Sequence, residues 1–504
     1  MPGLFYNSLW IARTMSVIRD DAAAVAWPAE RSSTQILRAL VVGIGVLWSV
    51  AFLVLALSYE LQLYADGAMF SYAVAAQDVW AFHWHNISCR LTVFLLTLWP
   101  AELYVDLTGN PWNGIVIYGF LFYSAPLASL TATFFADSSR PRIIFTYACA
   151  STALLCPLVF GFPTEMWIAH ALFWPTLAIA QHGRRNFTNV ISLTILLTAL
   201  ALTHEGALVL AAAVVVTLAL RGLHDALFSR AVFALLMAVV IWSLVKIWLP
   251  PSGYFEGVLI RAALHFFDFK IFKSNIVILL IAAGIGYAVA LLFLSLLVRT
   301  HAHLYAAMIV AVALAIYWLA IDHSIHADNR YYMRTLIVIT TPILGLMAAS
   351  ATLHAAGLSV TVPFLSRLQN ALATEKWMQA LTGAFFLVTL VHVVELEKFI
   401  FAWDDYKGAV KSLAIGPASD PALGDPRFVS SARIDKTTNR LSWVSTTPYL
   451  SVILANFSPA KLVVDPRANY FWLSCQTATA NDLNQRAIPT IGRDLIKTYS
   501  CLHR

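Results

Sequence analysis

Long apolar segments separated by short polar ones make up most of residues 36–395. Most of these segments come close to the roughly 20 residues that a helix needs to cross a bilayer. Twelve are present, at residues 36–57, 89–107, 113–135, 143–162, 167–181, 187–203, 207–220, 231–249, 276–298, 304–321, 335–356 and 377–395. The pattern predicts an all-α polytopic membrane protein.

The composition agrees with a membrane environment. Hydrophobic residues make up 60% of the 504-residue chain and charged residues 12%, whereas soluble domains carry roughly 25% charged residues. The net charge is +6, but the cations lie in short loops between apolar segments. No Lys/Arg block or basic-aromatic module indicates a nucleic acid partner. The expected partner is therefore the lipid bilayer, and the cations are topology signals.

The basic loops predict the orientation, because short loops rich in Lys and Arg face the cytoplasm. With a cytoplasmic N-terminal tail at residues 1–35, twelve crossings would place two basic loops, 137–142 and 182–186, on the outside. Segment 89–107 carries three charged residues and Pro100, so we interpret it as a helix at the interface. The result is a multi-pass protein of the cell inner (plasma) membrane with about eleven spanning helices and an extracytoplasmic (periplasmic) C-terminus.

The predicted transmembrane domain covers residues 36–399 and contains a large first external loop at residues 58–112. From about residue 400 the chain becomes polar and is punctuated by Pro, Gly and Ser. The short runs LSWVS, YLSVIL and KLVV that follow are typical of strands. Residues 400–504 are therefore predicted to form a small C-terminal extracytoplasmic α/β domain, where Cys475 and Cys501 could form a disulfide.

Asp66 is the first candidate for chemistry, because it follows the first apolar segment at the start of a polar loop. A carboxylate there could deprotonate a hydroxyl nucleophile or bind a divalent cation. It could also serve as the N-cap of the amphipathic helix that follows. Nearby, His83 and His85 could form a metal pair, or could hydrogen-bond at the interface beside Trp80 and Trp84.

A tight turn, THEG at residues 203–206, brings a second acid and an imidazole between two apolar segments. His204 and Glu205 either belong to a site or form a solvated turn in which Glu205 favours the start of the next helix. Lys270, in an external loop rich in Phe, is a further candidate for contact with a charged headgroup.

Arg330 and Arg334 lie four residues apart before the apolar segment that starts near residue 335. On a helix this spacing puts both side chains on one face. Two guanidinium groups so placed suit a phosphate or pyrophosphate, since the planar fork matches such oxygens. The alternative is that both Arg residues anchor the helix at the interface.

Four features together resemble the GT-C superfamily of integral-membrane glycosyltransferases, including the protein mannosyltransferase and lipid A aminoarabinose transferase branches. An acid lies early in the first external loop (YADGAMF), and interfacial residues lead into an apolar segment (CRLTVFLLTLWP). A late external Arg-Tyr element precedes an apolar helix (NRYYMRTLIVITTPILGL), and a C-terminal external domain follows. The resemblance covers about residues 36–504.

This resemblance implies a GT-C-like fold and transfer of a sugar, with inversion, from a polyprenyl-phosphate-linked donor to a lipid, glycan or protein acceptor on the extracytoplasmic face. Asp66 would be the catalytic base. The donor phosphate would be held by Arg330, Arg334 and Arg90, and the other site candidates would be His204, Glu205, Tyr331, His326 and Lys270. The acid in ADG is a single Asp rather than a DD or DxD pair, so no metal ligands are assigned and use of a divalent cation stays open.

A secondary transporter or flippase for a lipid-linked or small polar solute is the alternative, because Lys246 and His170 lie inside apolar segments. Few charges occur mid-segment between residues 276 and 395, which favours chemistry at one membrane face. A third possibility is a non-catalytic assembly protein on a degenerate glycosyltransferase scaffold.

Overall fold

The computed structural model describes residues 32–77, 79, 90–155, 164–183, 186–249, 275–298, 300–322, 333–358, 363–417, 428–436, 438–443, 446–457 and 461–464, and the fold is that of these residues. Helices form nearly all of it. In chain order they are α1 (Ser32–Ser58), α2 (Asp66–Ala75), α3 (Leu91–Thr108), α4 (Pro111–Ala136), α5 (Ile143–Leu155), α6 (Glu165–His182), α7 (Phe187–Ala201), α8 (Ala207–Ala219), α9 (Ala226–Trp248), α10 (Asn275–Leu297), α11 (Ala302–Ala320), α12 (Met333–Ala355), α13 (Pro363–Leu372), α14 (Glu375–Ile415) and α15 (Thr447–Leu454).

Each of the twelve predicted apolar segments is helical where the structure describes it. This outcome is expected, because in hydrocarbon a helix bonds every backbone N–H and C=O group within its own segment. Among the described residues, seven helices are long and apolar enough to cross a membrane, namely α1, α3, α4, α9, α10, α11 and α12. The prediction of an all-α membrane protein is confirmed at this coarse level.

Local sequence signals set several helix ends. The side chains of Asn110, Asn186 and Thr374 precede α4, α7 and α14 and accept hydrogen bonds from backbone N–H groups three residues later. These residue types are preferred N-caps because they satisfy donors that the first helical turn leaves open. Gly109, with φ of 68°, ends α3 in the left-handed conformation that glycine adopts without strain.

Polar contacts tie the helices together at one end of the bundle, which we call the basic end. It comprises residues 137–142, 182–183, 221–225 and 301–303. His182 Nε2 lies 3.1 Å from Asp137 Oδ1, and Arg221 Nη1 donates a hydrogen bond of 2.8 Å to the Gln181 carbonyl oxygen. These loops are among those that the charge pattern predicts to be cytoplasmic.

A second set of contacts ties the opposite end, which carries Asp66 and which we call the site end. Just after α1, Glu60 Oε2 lies 2.9 Å from Lys407 Nζ of α14. Just after α11, Asp322 Oδ2 lies 2.9 Å from Lys398 Nζ of the same helix. The described parts of the loops predicted to be external therefore gather at one end, opposite the basic loops.

Helix α3 differs from its neighbours because both of its ends lie at the site end. At its start, the Thr92 N–H donates to the Leu202 carbonyl oxygen at 3.1 Å, just after α7. At its finish, Gly109 leads directly into Pro111, the first residue of α4, and α4 reaches the basic end only at Asp137. Although α3 is apolar and long enough to cross, this arrangement favours a helix at the interface.

Helix α14 is a single helix of 41 residues. At 1.5 Å per residue it is about 60 Å long, twice the roughly 30 Å of hydrocarbon in a bilayer. It therefore continues well past the apolar segment 377–395, and the domain boundary predicted at residue 400 falls inside it. The division into two domains stays a prediction, but the membrane segment and the polar region share this helix.

The described part of the C-terminal region is a small β-α-β unit. Strand β1 (Phe428–Ser430) pairs in parallel with β2 (Leu462–Val464), and α15 supplies the crossover that parallel strands require. The prediction of a strand for YLSVIL is wrong, because that run lies in α15. Nearly all of α15 is buried, and a run buried on every face lacks the alternation that separates strand from helix. The described residues of LSWVS, 441–443, form no strand either.

This unit packs on α2, the helix that begins with Asp66. The rings of Tyr449 in α15 and Tyr72 in α2 lie 5.1 Å apart, centroid to centroid. Burial, and then the neighbouring Tyr72, raises the pKa of Tyr449 well above its ordinary value. Tyr449 is therefore a neutral core residue, and the C-terminal unit packs against both α2 and α14.

Candidate functional site

Asp66 is the first residue of α2, and its side chain is largely buried, with 9% of the residue exposed. The N-cap position belongs to Ala65, which has φ of 53° and ψ of −129° and makes no side-chain capping bond. The structure therefore does not give Asp66 the N-cap role considered as an alternative. Its carboxylate still benefits from the positive end of the α2 dipole.

Tyr118 of α4 lies close to the start of α2. It is fully enclosed, with 1% of the residue exposed. Phe70, one turn after Asp66, packs against it edge-on, with 6.4 Å between ring centroids. Tyr123, further along α4, packs edge-on against Phe52 of α1, which also packs on Trp167, two residues after Glu165. Asp66 and Glu165 therefore both lie near this stretch of α4, among buried aromatic side chains.

Arg90 and Glu165 complete the group. The guanidinium Nη1 of Arg90 lies 2.5 Å from Glu165 Oε1, and both side chains are at least nine-tenths buried. Glu165 begins α6, so its carboxylate also lies at the positive end of a helix dipole. We call Asp66, Arg90, Tyr118 and Glu165 the acid cluster.

The THEG turn lies beside the acid cluster. Thr92, two residues after Arg90, bonds through Oγ1 to the Ala199 carbonyl oxygen near the end of α7. Gly206 packs so closely that a Cβ on it would lie 3.2 Å from Sδ of Met166, the residue after Glu165. The turn predicted as a site element therefore contacts the neighbours of both ion-pair partners.

The imidazole in this turn has a defined hydrogen-bond role. His204 Nδ1 accepts the Gly206 N–H at 3.0 Å, and Glu205 Oε2 lies 3.5 Å from the same nitrogen. The His204 ring is therefore held by contacts within the turn, and Glu205 adds a carboxylate at the rim.

Helix α12 also begins near the THEG turn. A Cβ on Gly206 would lie 3.0 Å from Cγ2 of Val338, and Val338 is one turn after Arg334. The first turn of α12, which holds Arg334, therefore lies near the THEG turn, although the Arg334 side chain is outside the described residues. Arg330, Tyr331, His326 and Lys270 also lie outside them, as do His83 and His85.

Of the predicted site residues, the structure thus brings Asp66, Arg90, His204 and Glu205 to one end of the bundle. Glu165 is a member of the acid cluster that the sequence did not reveal, because its ion-pair partner Arg90 lies 75 positions away. Tyr118 lies inside an apolar segment, where one hydroxyl gives no signal. Among the described residues, no three His, Cys, Asp or Glu side chains form a group that could hold a metal ion.

The arrangement suits proton transfer by a buried carboxylate. Arg90 pairs with Glu165, and Asp66 is a second carboxylate in the same buried region. A carboxylate in a water-poor site is a stronger base towards a hydroxyl than one in water, because burial disfavours its charged form. The acid cluster can therefore hold one buried base next to a neutralised ion pair.

Comparisons with known proteins identify no relative. No protein-family model, no curated protein and no solved structure matches the chain.

Proposed function

We propose that this protein is a membrane glycosyltransferase of the GT-C type, which moves a sugar from a polyprenyl-phosphate donor to an acceptor on the extracytoplasmic face. The observation that carries the proposal is that Asp66 and the buried Arg90–Glu165 pair both lie near the same stretch of α4, among buried aromatic side chains, at the end of the bundle where α12 begins. A lipid-phosphate donor already contains its leaving group, so such an enzyme needs one base, cations and a dry cavity.

In this reaction Asp66 takes the proton from the acceptor hydroxyl. The hydroxyl oxygen then forms a bond to the anomeric carbon of the donor sugar, while the bond between that carbon and the phosphate oxygen breaks. The electron pair of the broken bond leaves with polyprenyl phosphate. Attack opposite to the leaving group inverts the configuration at the anomeric carbon.

The charge that develops on the leaving phosphate needs cations. We propose that Arg330 and Arg334 donate hydrogen bonds to this phosphate. The packing of Val338 on Gly206 supports a position for the start of α12 near the acid cluster. Arg90 is bonded to Glu165, so we propose that Arg90 contacts the phosphate while Glu165 fixes its orientation. The entrance used by the sugar donor and the acceptor would be lined by His204, Glu205, Tyr331, His326 and Lys270.

The same proposal includes a topology. Eleven helices, all of those from α1 to α14 except α2, α3 and α13, would cross the membrane, with α3 at the interface. The site end would face the outside of the inner (plasma) membrane, and the basic end would face the cytoplasm. The segregation of basic loops from the acid cluster supports this orientation.

The transporter alternative depended on His170 and Lys246. His170 is enclosed between Trp167 and Trp174, and its Nε2 lies 2.9 Å from Ser151 Oγ. The Lys246 ammonium lies 4.3 Å from the centroid of the Trp242 ring. Each of these groups has local contacts of its own and gives no sign of a polar path across the bundle, so we favour the transferase.

The proposal is tested by sugar transfer from a panel of labelled polyprenyl-phosphate sugars in proteoliposomes, at equal folded amounts. Asp66→Asn keeps the size and removes the base, and we expect a loss of about 100-fold or more. Asp106→Asn, which changes an exposed acid on α3, is the matched control and should transfer like wild type. Wild-type rates for Asp66→Asn, or solute uptake without transfer from any donor, would overturn the proposal.

A second comparison addresses the phosphate. Arg334→Ala should raise the KM for the donor and lower the transfer rate about tenfold or more, because a charged hydrogen bond contributes roughly 1.5–3 kcal/mol. Arg140→Ala, at the exposed basic end, serves as the control. An unchanged KM in Arg334→Ala would remove this residue from the site.

A further inference from the structure

A cleft of about 490 Å³ opens at the site end between α1, α4, α14 and α15. Small-molecule sites usually measure roughly 300–1,000 Å³, so the cleft is large enough for a ligand. It is lined by Glu60 just after α1, Trp112 in the first turn of α4, Asp404 of α14 and Asn456 just after α15. None of these residues belongs to the acid cluster.

Lys407 organises the acids of the cleft. Its ammonium lies 2.9 Å from Glu60 Oε2, 3.3 Å from Asp404 Oδ1 and 3.1 Å from the Tyr59 carbonyl oxygen. The contacts with Glu60 and Tyr59 are hydrogen bonds, and the contact with Asp404 is an ion pair. The second carboxylate oxygen of Glu60 and of Asp404 bonds to no other described residue. The cleft therefore presents two carboxylate oxygens that can accept hydrogen bonds from a ligand.

The charges in the cleft balance. Glu60 and Asp404 supply two negative charges, and Lys407 and Lys411 supply two positive ones. A ligand with a net charge would gain little in such a field, whereas a neutral ligand with several hydroxyl groups can donate to the carboxylates. Trp112 adds a flat aromatic surface, which packs well on apolar C–H groups and keeps a polar edge.

A sugar ring carries hydroxyl groups at its edge and C–H groups on its face. The carboxylates and the Asn456 amide can bond the hydroxyls, and the Trp112 ring can pack on the C–H face. We infer that this cleft binds a neutral saccharide, namely the sugar portion of the acceptor. Glu60 lies six positions before Asp66 on the same segment, so an occupant would be held close to the acid cluster. The assignment to the acceptor rests on the proposed function, whereas saccharide binding does not.

Gly408 allows a test that removes no hydrogen bond. It lies on α14 in the wall of the cleft, and a Cβ there would meet nothing within 4 Å. Gly408→Leu therefore adds a side chain in the wall of the cleft, whose Cβ meets no neighbouring atom, and replaces glycine by a better helix former. Ser412→Leu, one turn later at an exposed position outside the lining, is the matched control.

Binding is measured by saturation-transfer NMR on the full-length protein in nanodiscs, without donor, using mannobiose, galactobiose and chitobiose as probes. We expect at least one of these to bind, at least tenfold weaker binding in Gly408→Leu, and binding within twofold of wild type in Ser412→Leu. Trp112→Phe should retain more binding than Trp112→Leu, because a ring remains for stacking.

Three results would overturn the inference: no binding of any disaccharide, equal binding by Gly408→Leu and wild type, or binding only of glycerophosphoethanolamine, a zwitterionic headgroup that also matches balanced charges. Transfer assays separate this inference from the proposed function. Saccharide binding that Gly408→Leu abolishes, in a protein that transfers sugar from no donor, would keep the cleft and reject the transferase.

Discussion

At the scale of single residues, the Arg90–Glu165 ion pair connects stability to the site. Both side chains are buried, and removing one partner leaves an uncompensated charge in the interior, which costs about 3–5 kcal/mol. We expect Arg90→Met and Glu165→Leu each to lower the unfolding temperature in detergent markedly. The double variant should recover most of the loss because neither charge of the pair remains, while transfer stays abolished. Wild-type unfolding of both single variants would contradict a buried pair.

Asp137 is the second residue with a specific prediction, because it joins α4, α5 and α6 at the basic end. Its carboxylate accepts hydrogen bonds from Ser139 Oγ at 2.6 Å and from the Phe145 N–H at 3.0 Å, and His182 lies beside it. Burial alone raises the pKa of Asp137, but the bonds from His182, Ser139 and Phe145 together lower it below its ordinary value.

A lowered pKa in the folded state means that the Asp137 carboxylate stabilises the fold above its unfolded pKa of about 3.9, and that this stability is lost as the pH falls through the folded pKa. Asp137→Asn should therefore reduce the free energy of unfolding by about 1–3 kcal/mol at pH 7. The difference from wild type should shrink below about pH 4. A difference that is constant from pH 3 to pH 8 would show that charge plays no part.

At the scale of elements, close packing of helices depends on small residues, as is usual in membranes. A Cβ on Gly45 of α1 would lie 2.8 Å from the carbonyl oxygen of Cys149 in α5, whereas one on Gly43 would meet nothing within 4 Å. Gly45→Leu should thus force α1 away from α5 and lower the folded yield and unfolding temperature. Gly43→Leu on the same helix should behave like wild type. Equal effects of both would exclude the helix contact as the cause.

At the scale of the whole molecule, the opposite ends should face opposite compartments. Ser412 on α14 and Ser138 after α4 are both exposed, and each is replaced by Cys in a background whose five native cysteines are changed to Ala. A membrane-impermeant thiol reagent on intact cells should label Ser412→Cys, and should label Ser138→Cys only after permeabilisation. The reverse pattern would invert the proposed orientation, and equal labelling would reject it.

Some parts of the site could be predicted from sequence, and others could not. Asp66 and Arg90 are polar residues beside apolar segments, so their burial cost alone makes them candidates. The role of Glu165 could not be predicted, since nothing in the chain indicates that it pairs with Arg90, 75 positions away. YLSVIL was predicted as a strand and is helical, because its complete burial removes the periodicity on which that prediction depended.

The length of the apolar segments and the charge of the loops predict that the chain is helical, that it inserts in a membrane and that its basic loops lie at one end of the bundle. Each of these depends on about 20 neighbouring residues and the solvent around them, so local sequence is sufficient. The contacts of Arg90 with Glu165, of Glu60 with Lys407 and of Tyr72 with Tyr449 were decided only by tertiary structure. Such pairs join residues far apart in the chain, and their formation depends on how whole helices pack.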